Sequence, residues 1–355
     1  MLKQFRHSVT STTLVLIATI LFSCTPAIRV ETAPAEEKEP SFCTLYGSEE
    51  KRIRRSERFG FFTSRLWRGY ESSLTAEIER FGVKPGFSLW YMGLDRPFPL
   101  EIALVNRKHR VRLVISHDIR HGDFGPAHNQ RLLADIALGR WDGYFRQFAR
   151  DARSVRRDIY YRFGYEMNGG WFPWGRKPEA FVAAWRRVHR IFQEEKADNV
   201  KWVFSPNVLW GKHTLDEHIH AYYPGNRYVD IVGLDGYNFG DDFDEWHSWR
   251  SFRDLFEESL QGISIYGKPI WIAEVGCVAD RRRAVWITEM LAWLDENPCV
   301  EAFFWFDENK TGEPDFSLAG DPETLPLLQS WLGSDRPGIT LISSIVAMIK
   351  SLPMF

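Results

Sequence analysis

An excess of either charge is missing from this chain. Its 45 Lys and Arg nearly cancel 47 Asp and Glu, leaving a formal net charge of −2 over 355 residues. That balance removes the electrostatic case for nucleic acid or an anionic substrate, and a neutral partner fits better. Cysteine is scarce too: Cys24, Cys43, Cys277 and Cys299 show no Cys-x-x-Cys and no Cys/His spacing. Neither a zinc site nor a disulfide framework follows from such a pattern. An exported protein could pair two of the last three, and the spacing does not say which. Repeats of solenoid type are also lacking.

Aromatic residues, by contrast, are plentiful at 15%, with 15 Trp. The N-terminus reads as targeting rather than fold. "MLKQFRHS" is basic, "TTLVLIATILF" is apolar, and "LFSC" closes at Cys24, as in a bacterial lipoprotein signal over residues 1–24. Phe22 departs from the small residue usual there, which leaves a plain signal peptide or an uncleaved anchor as alternatives. Lipid attachment at Cys24 is expected, making an exported protein anchored to a membrane. Residues 25–50, rich in Pro, Ala and Glu and without periodicity, read as a flexible tether. Residues 51–335 are expected to fold. The apolar tail 336–355 is too short in its uncharged run to span a bilayer comfortably.

Within the central region, eight short apolar runs alternate with helical patterns. They are "RFGFFTS", "FSLWYMGL", "VRLVIS", "IYYRFGYE", "VKWVFSPN", "YVDIVGLDGYN", "PIWIAEVG" and "VEAFFWF". Nearly continuous hydrophobicity over four to eight residues marks strands buried on both faces. Between them, Trp141, Tyr144, Phe145, Phe148 and Ala152 step by three and four, as do Phe181, Trp185, Val188 and Phe192. Phe252 to Ile263 and Ala284 to Leu294 repeat the pattern. Eight strands with intervening helices predict an α/β fold, a (β/α)8 TIM barrel. Five of the runs turn polar at their C-terminal ends, which converge on one mouth in a barrel. A doubly wound sheet would not gather them so.

Two of those ends carry glutamates, Glu166 in "RFGYEMNGGWFPWG" and Glu274 in "PIWIAEVG". A lone carboxylate of this kind is more often a cap or an ion-pair partner. A facing pair flanked by aromatics suits glycoside cleavage, where one carboxyl attacks and the other moves a proton. Arg162, four residues before Glu166, shares its face by strand alternation and can hold a carboxylate charged.

Those two segments, with "VKWVFSPN", "YVDIVGLDGYN" and "AFFWFDENK", resemble glycoside hydrolase family 26 over roughly residues 57–310. The resemblance implies a retaining barrel enzyme, foremost an endo-β-1,4-mannanase, with mixed-linkage β-glucanase or β-1,3-xylanase as alternatives. A carbohydrate-binding lipoprotein without catalysis is the rival of a different class, and the presence of both glutamates weighs against it. By resemblance Glu166 is the acid/base and Glu274 the nucleophile, held by Tyr237. Trp305 is the sugar-stacking floor and Trp171 the aromatic of the leaving-group side. Asp235, and less directly Asp230, order the mouth. Asn168, Tyr165 and His117 complete the expected substrate contacts, although a structural role for His117 is equally open. Trp174 and Phe172 suit a loop wedge as well as a sugar contact, Gly169 and Gly170 let the loop turn, and Trp202 and Phe204 read as core. Two positions depart from the family: Tyr165 replaces a histidine and Phe306 an arginine, both beside the cleavage point. No metal or organic cofactor is implied. The expected partners are a neutral polysaccharide or oligosaccharide and, through the lipid, a membrane, with the protein a monomer.

Overall fold

The computed structural model describes residues 41–46, 53–319 and 321–334. Eight parallel strands close into a barrel: β1 (Phe59–Phe62), β2 (Phe87–Met92), β3 (Arg112–His117), β4 (Ile159–Phe163), β5 (Val200–Phe204), β6 (Ile231–Asn238), β7 (Ile270–Cys277) and β8 (Val300–Phe306). They lie in sequence order, and β8 pairs back onto β1. Each coincides with one of the eight apolar runs, β3 and β7 ending one residue beyond theirs. The four periodic patterns form the helices Asp142–Ser154, Pro178–Glu194, Phe252–Ser264 and Arg283–Glu296. The (β/α)8 expectation holds.

Strand alternation sorts the apolar side chains into two cores. In β8, Phe303 and Trp305 join the layer between barrel and helices, whereas Ala302, Phe304 and Phe306 belong to the barrel interior. Near the strands' N-terminal ends the interior is plugged by Phe87, Tyr160, Trp271 and Phe304, with neighbouring ring centroids 5.0 to 5.4 Å apart. Water is thereby kept from the mouth's floor. The tryptophan excess is mainly core: Trp174, Trp185, Trp271, Trp286 and Trp305 are all fully buried.

One irregularity matters for the site. β6 pairs Leu234 with Ile272 but Asp235 with Glu274, so Ala273 is an extra residue in β7. Plain alternation would send Ile272 and Glu274 to the same outward face. The bulge re-aims Glu274 into the barrel, opposite Asp235.

The tether expected over 25–50 does not run that far. Phe42–Tyr46 is helical, Phe42 and Cys43 are buried, and Cys43 is disulfide-bonded to Cys299 at the start of β8. The pairing left open by the sequence is therefore settled, with Cys277 free and buried. The readings for residues 1–24, for Cys24, for the first part of the tether and for 336–355 lie outside the described residues.

The disulfide closes a loop of 256 residues, so it restricts the unfolded chain strongly. Replacing both Cys43 and Cys299 by Ser is expected to cost about 2–4 kcal/mol in urea denaturation, with the barrel's circular dichroism retained. A loss within error would mean that the N-terminal helix is only loosely held.

Candidate active site

β4 stops at Phe163, and the chain then turns through Gly164 at φ +56° and Glu166 at φ +49°. A left-handed backbone is strained for glutamate. It persists because Glu166 N donates to Ser205 O (2.8 Å) and Gly169 N donates to Glu166 O (3.0 Å). This turn, not strand alternation from Arg162, brings the Glu166 carboxyl over the mouth. Gly169 contributes by having no side chain: a Cβ there would meet the Trp171 indole at 2.3 Å. The indole can thus fold back, and its Nε1 donates to Glu166 Oε2 (2.5 Å) while Asn207 Nδ2 donates to Oε1 (3.1 Å).

Glu274 is held differently. Arg162 Nη1 (2.7 Å) and Tyr91 OH (2.5 Å) donate to its Oε1, and Tyr237 OH donates to Oε2. Arg162 Nη2 donates to Asp235 Oδ2 (2.5 Å), and Nη1 and Nη2 also donate to Ser116 Oγ (2.8 Å) and Ser205 Oγ (3.0 Å), while the buried Nε has no partner among the described residues. Both Asp235 oxygens accept, the second from Ser205 Oγ at 2.7 Å. Burial foremost, joined by the charges of Glu274 and Glu166, pushes the Asp235 carboxyl up, and the guanidinium pulls against it. Burial, and then the charge of Glu274, also pushes the Tyr91 and Tyr237 hydroxyls well above the ordinary phenol range. Both tyrosines therefore remain donors.

The mouth thus brings together Glu166, Glu274, Asp235, Arg162, Tyr237 and Trp171. One carboxylate oxygen each from Glu166, Asp235 and Glu274 lies within 4.8 Å of the others, the spacing of a cation site. The positive charge of Arg162 already sits on two of the three.

Other expected contacts lie elsewhere. Trp305 is 1% exposed and faces the helix layer, its Nε1 donating to Phe316 O (3.0 Å). An odd position in β8 cannot face both the helices and the mouth, so the inward aromatic is Phe306, against Phe62 (5.3 Å) and Tyr237 (5.5 Å). His117 also points outward, hydrogen-bonded to Tyr161 OH (2.6 Å) and stacked on Phe148. Burial pushes it down to about 3, leaving a neutral structural histidine. Asn168 uses both ends of its amide on the Asn207 main chain, at 2.8 Å each, and so positions Asn207. Tyr165 donates to Asp118 (2.9 Å) and not to Glu166. Asp230 precedes β6, away from the mouth, and accepts from Trp202 N. Trp174, buried and donating to Tyr165 O, wedges the loop.

Tyr91, Asn207 and Asp118 went unrecognised in the sequence. Tyr91 had a signal: Phe87, Leu89 and Tyr91 alternate toward the interior, and Tyr91 ends the row with a hydroxyl. Asn207 closes a strand run just as the glutamates do.

The family model for glycosyl hydrolase family 26 matches residues 143–259, which include Glu166, Asn207, Asp235 and Tyr237. Over that third of its length the chain is similar to glycosyl hydrolase family 26. Among its relatives, Endoglucanase H of Acetivibrio thermocellus is 34% identical over 212 residues, 56% of this chain and 23% of that protein. Mannan endo-1,4-beta-mannosidase A and B of Caldalkalibacillus mannanilyticus is 39% identical over 90 residues, 22% of this chain and 16% of that one. The chain thus spans less than a quarter of the length of these relatives. In structure it is similar to a family 26 β-mannanase from Bacteroides ovatus, at 15% identity and TM-score 0.58, covering 82% of this chain and 92% of that one. The catalytic domain of an endo-β-1,4-mannanase from a Bacillus species gives 18% identity and TM-score 0.61, covering 79% and 86%. At those identities the likeness is one of fold.

The electrostatics of Glu166 yield a test. Burial, and next the Glu274 charge, raise its carboxyl from 4.5 to about 7, with Trp171 and Asn207 pulling the other way. The folded protein then keeps a proton that the unfolded chain has lost. Stability contributed by this group is complete below about 4.5 and falls as pH rises to about 7. Glu166→Gln, which is uncharged throughout, should flatten that part of the stability curve in urea titrations run across pH. An unaltered slope would show that the proton is not held.

Proposed function

We propose that this protein is a retaining endo-β-glycosidase acting on a β-1,4-mannan. The observation that carries the reading is a pair of buried carboxyls with oxygens within 4.8 Å but unlike surroundings. Retaining hydrolysis needs carboxyls about 5–5.5 Å apart, whereas inversion needs a wider gap for water. Glu274, paired with Arg162, attacks the anomeric carbon. Glu166, with its carboxyl raised to about 7, gives its proton to the departing glycosidic oxygen. Bond breakage thus leaves a glycosyl ester on Glu274 and a carboxylate on Glu166. That carboxylate then takes a proton from water, whose oxygen attacks the same anomeric carbon and frees Glu274. Trp171, bonded to Glu166 and half exposed, lies where the leaving sugar would stack.

A mixed-linkage β-glucan is the second reading. Two observations favour it: the longer of the two matches above is to an endoglucanase, and Phe306 makes part of the mouth wall apolar. For localisation we infer export and lipid attachment at Cys24. The Cys43–Cys299 disulfide supports an oxidising compartment.

The two glutamates should fail differently. Glu274→Ala removes the covalent route and should abolish turnover of every substrate. Glu166→Ala should lower polysaccharide turnover by about 10²–10⁴-fold yet spare the first step for aryl glycosides with good leaving groups. A burst of aryl alcohol should precede a slow phase that azide accelerates, giving a glycosyl azide of retained configuration. Rescue of the Glu274 variant instead, or an inverted product, would reverse the roles. Hydrolysis assays on mannan, barley β-glucan and β-1,3-xylan with product sizing separate the substrate readings.

Cys24→Ser should release a soluble exported protein or leave an uncleaved precursor, read by membrane fractionation and mass. Unchanged fractionation and size would rule out the lipid.

A further inference from the structure

Trp67 is a large apolar side chain left in the open at the mouth, 54% exposed. It sits in the short turn Ser64–Arg68 that follows β1. Its ring leans on Phe62, centroids 5.7 Å apart, and Phe62 packs edge-on against Tyr91 at 4.5 Å, the tyrosine that donates to Glu274. One edge of the indole is thus continuous with the nucleophile's surroundings, and the rest faces solvent.

The turn is not free to tuck this ring away. Arg65, two residues earlier, donates to Glu77 (2.6 Å) and to Asp307 (2.6 Å), and Arg80 donates to the same two carboxylates. Asp307 is fully buried, and its other oxygen accepts from Leu318 N (2.5 Å). Ser64 N donates to Glu308, just past β8. Two guanidinium groups and two buried carboxylates therefore clamp the turn to the end of β8. An exposed tryptophan gains by burying its face, so a clamp that holds it out implies that something else covers it.

Topology places it. In a closed ring of eight strands, β1 stands opposite β5, and Trp171 and Trp210 belong to the loops after β4 and β5, with centroids 6.4 Å apart. Trp171 donates to Glu166, the group assigned to the leaving sugar. Trp67 stands across the mouth, joined through Phe62 and Tyr91 to Glu274, the group assigned to the sugar that is retained. We infer that Trp67 is a sugar-stacking platform for the retained end of the chain, so that a bound polysaccharide spans from Trp67 to Trp171 over the two glutamates. The inference rests on the glycosidase reading and extends it, because it makes chain length a determinant of binding.

The test measures binding rather than turnover. In a Glu274→Gln background, which blocks cleavage while keeping an acceptor for Arg162, calorimetry would follow β-1,4-linked manno- and gluco-oligosaccharides of two to six sugars. Adding Trp67→Ala should weaken the six-sugar chain about tenfold, leave the shortest chains within about twofold, and be largely reversed by Trp67→Phe. An equal loss at every length would assign Trp67 to the fold, and no loss at any length would leave it without contact. Either result overturns the inference while the glycosidase reading stands. A background protein that binds no chain of either series would overturn both.

Discussion

A guanidinium buried in the barrel is what the rest of the site depends on. Arg162 has its side chain wholly out of water, between Glu274 at 2.7 Å and Asp235 at 2.5 Å. A buried charge of that kind persists only if it is paired and hydrogen-bonded, and losing one partner is far more costly than losing a surface pair. Much nearby follows from it. The bulge at Ala273 turns Glu274 toward it, Ser116 and Ser205 accept from its two terminal nitrogens, and the aromatic plug closes the interior near the strands' N-terminal ends.

From this asymmetry comes the contrast between the two glutamates. Glu274 accepts from a cation and two phenols, whereas Glu166 accepts from an indole and an amide and lies near the charge of Glu274. Chemically identical side chains are thus set up for different proton chemistry by their neighbours alone. Asn168 and Gly169 serve that end from within one loop, one fixing Asn207 and the other making room for Trp171.

The architecture was legible in the sequence because burial on both faces leaves unbroken apolar runs, and helices between them keep their own period. The two glutamates were legible because a carboxylate is conspicuous at the end of such a run. Which face a strand-end side chain takes was harder to read. Trp305 and His117 are one residue out of phase with the mouth, and only the register of the barrel reveals it. Glu274 is in phase only because of a bulge that has no signature in "PIWIAEVG", and Glu166 arrives by a strained turn. Tyr91 was hidden for another reason: a tyrosine inside an aromatic strand looks like core until its hydroxyl is seen to meet a carboxylate across the barrel.

The disulfide has a mechanical meaning as well. Cys299 stands just before β8, at the end of the barrel remote from the mouth, and Cys43 is fixed to it. A force applied at Cys43 is delivered covalently to that far end and need not pass through the residues that follow Cys43 in the chain. The base of the barrel thus carries a covalent fixing point of its own. The mouth, at the opposite ends of the strands, is left clear of that cross-link.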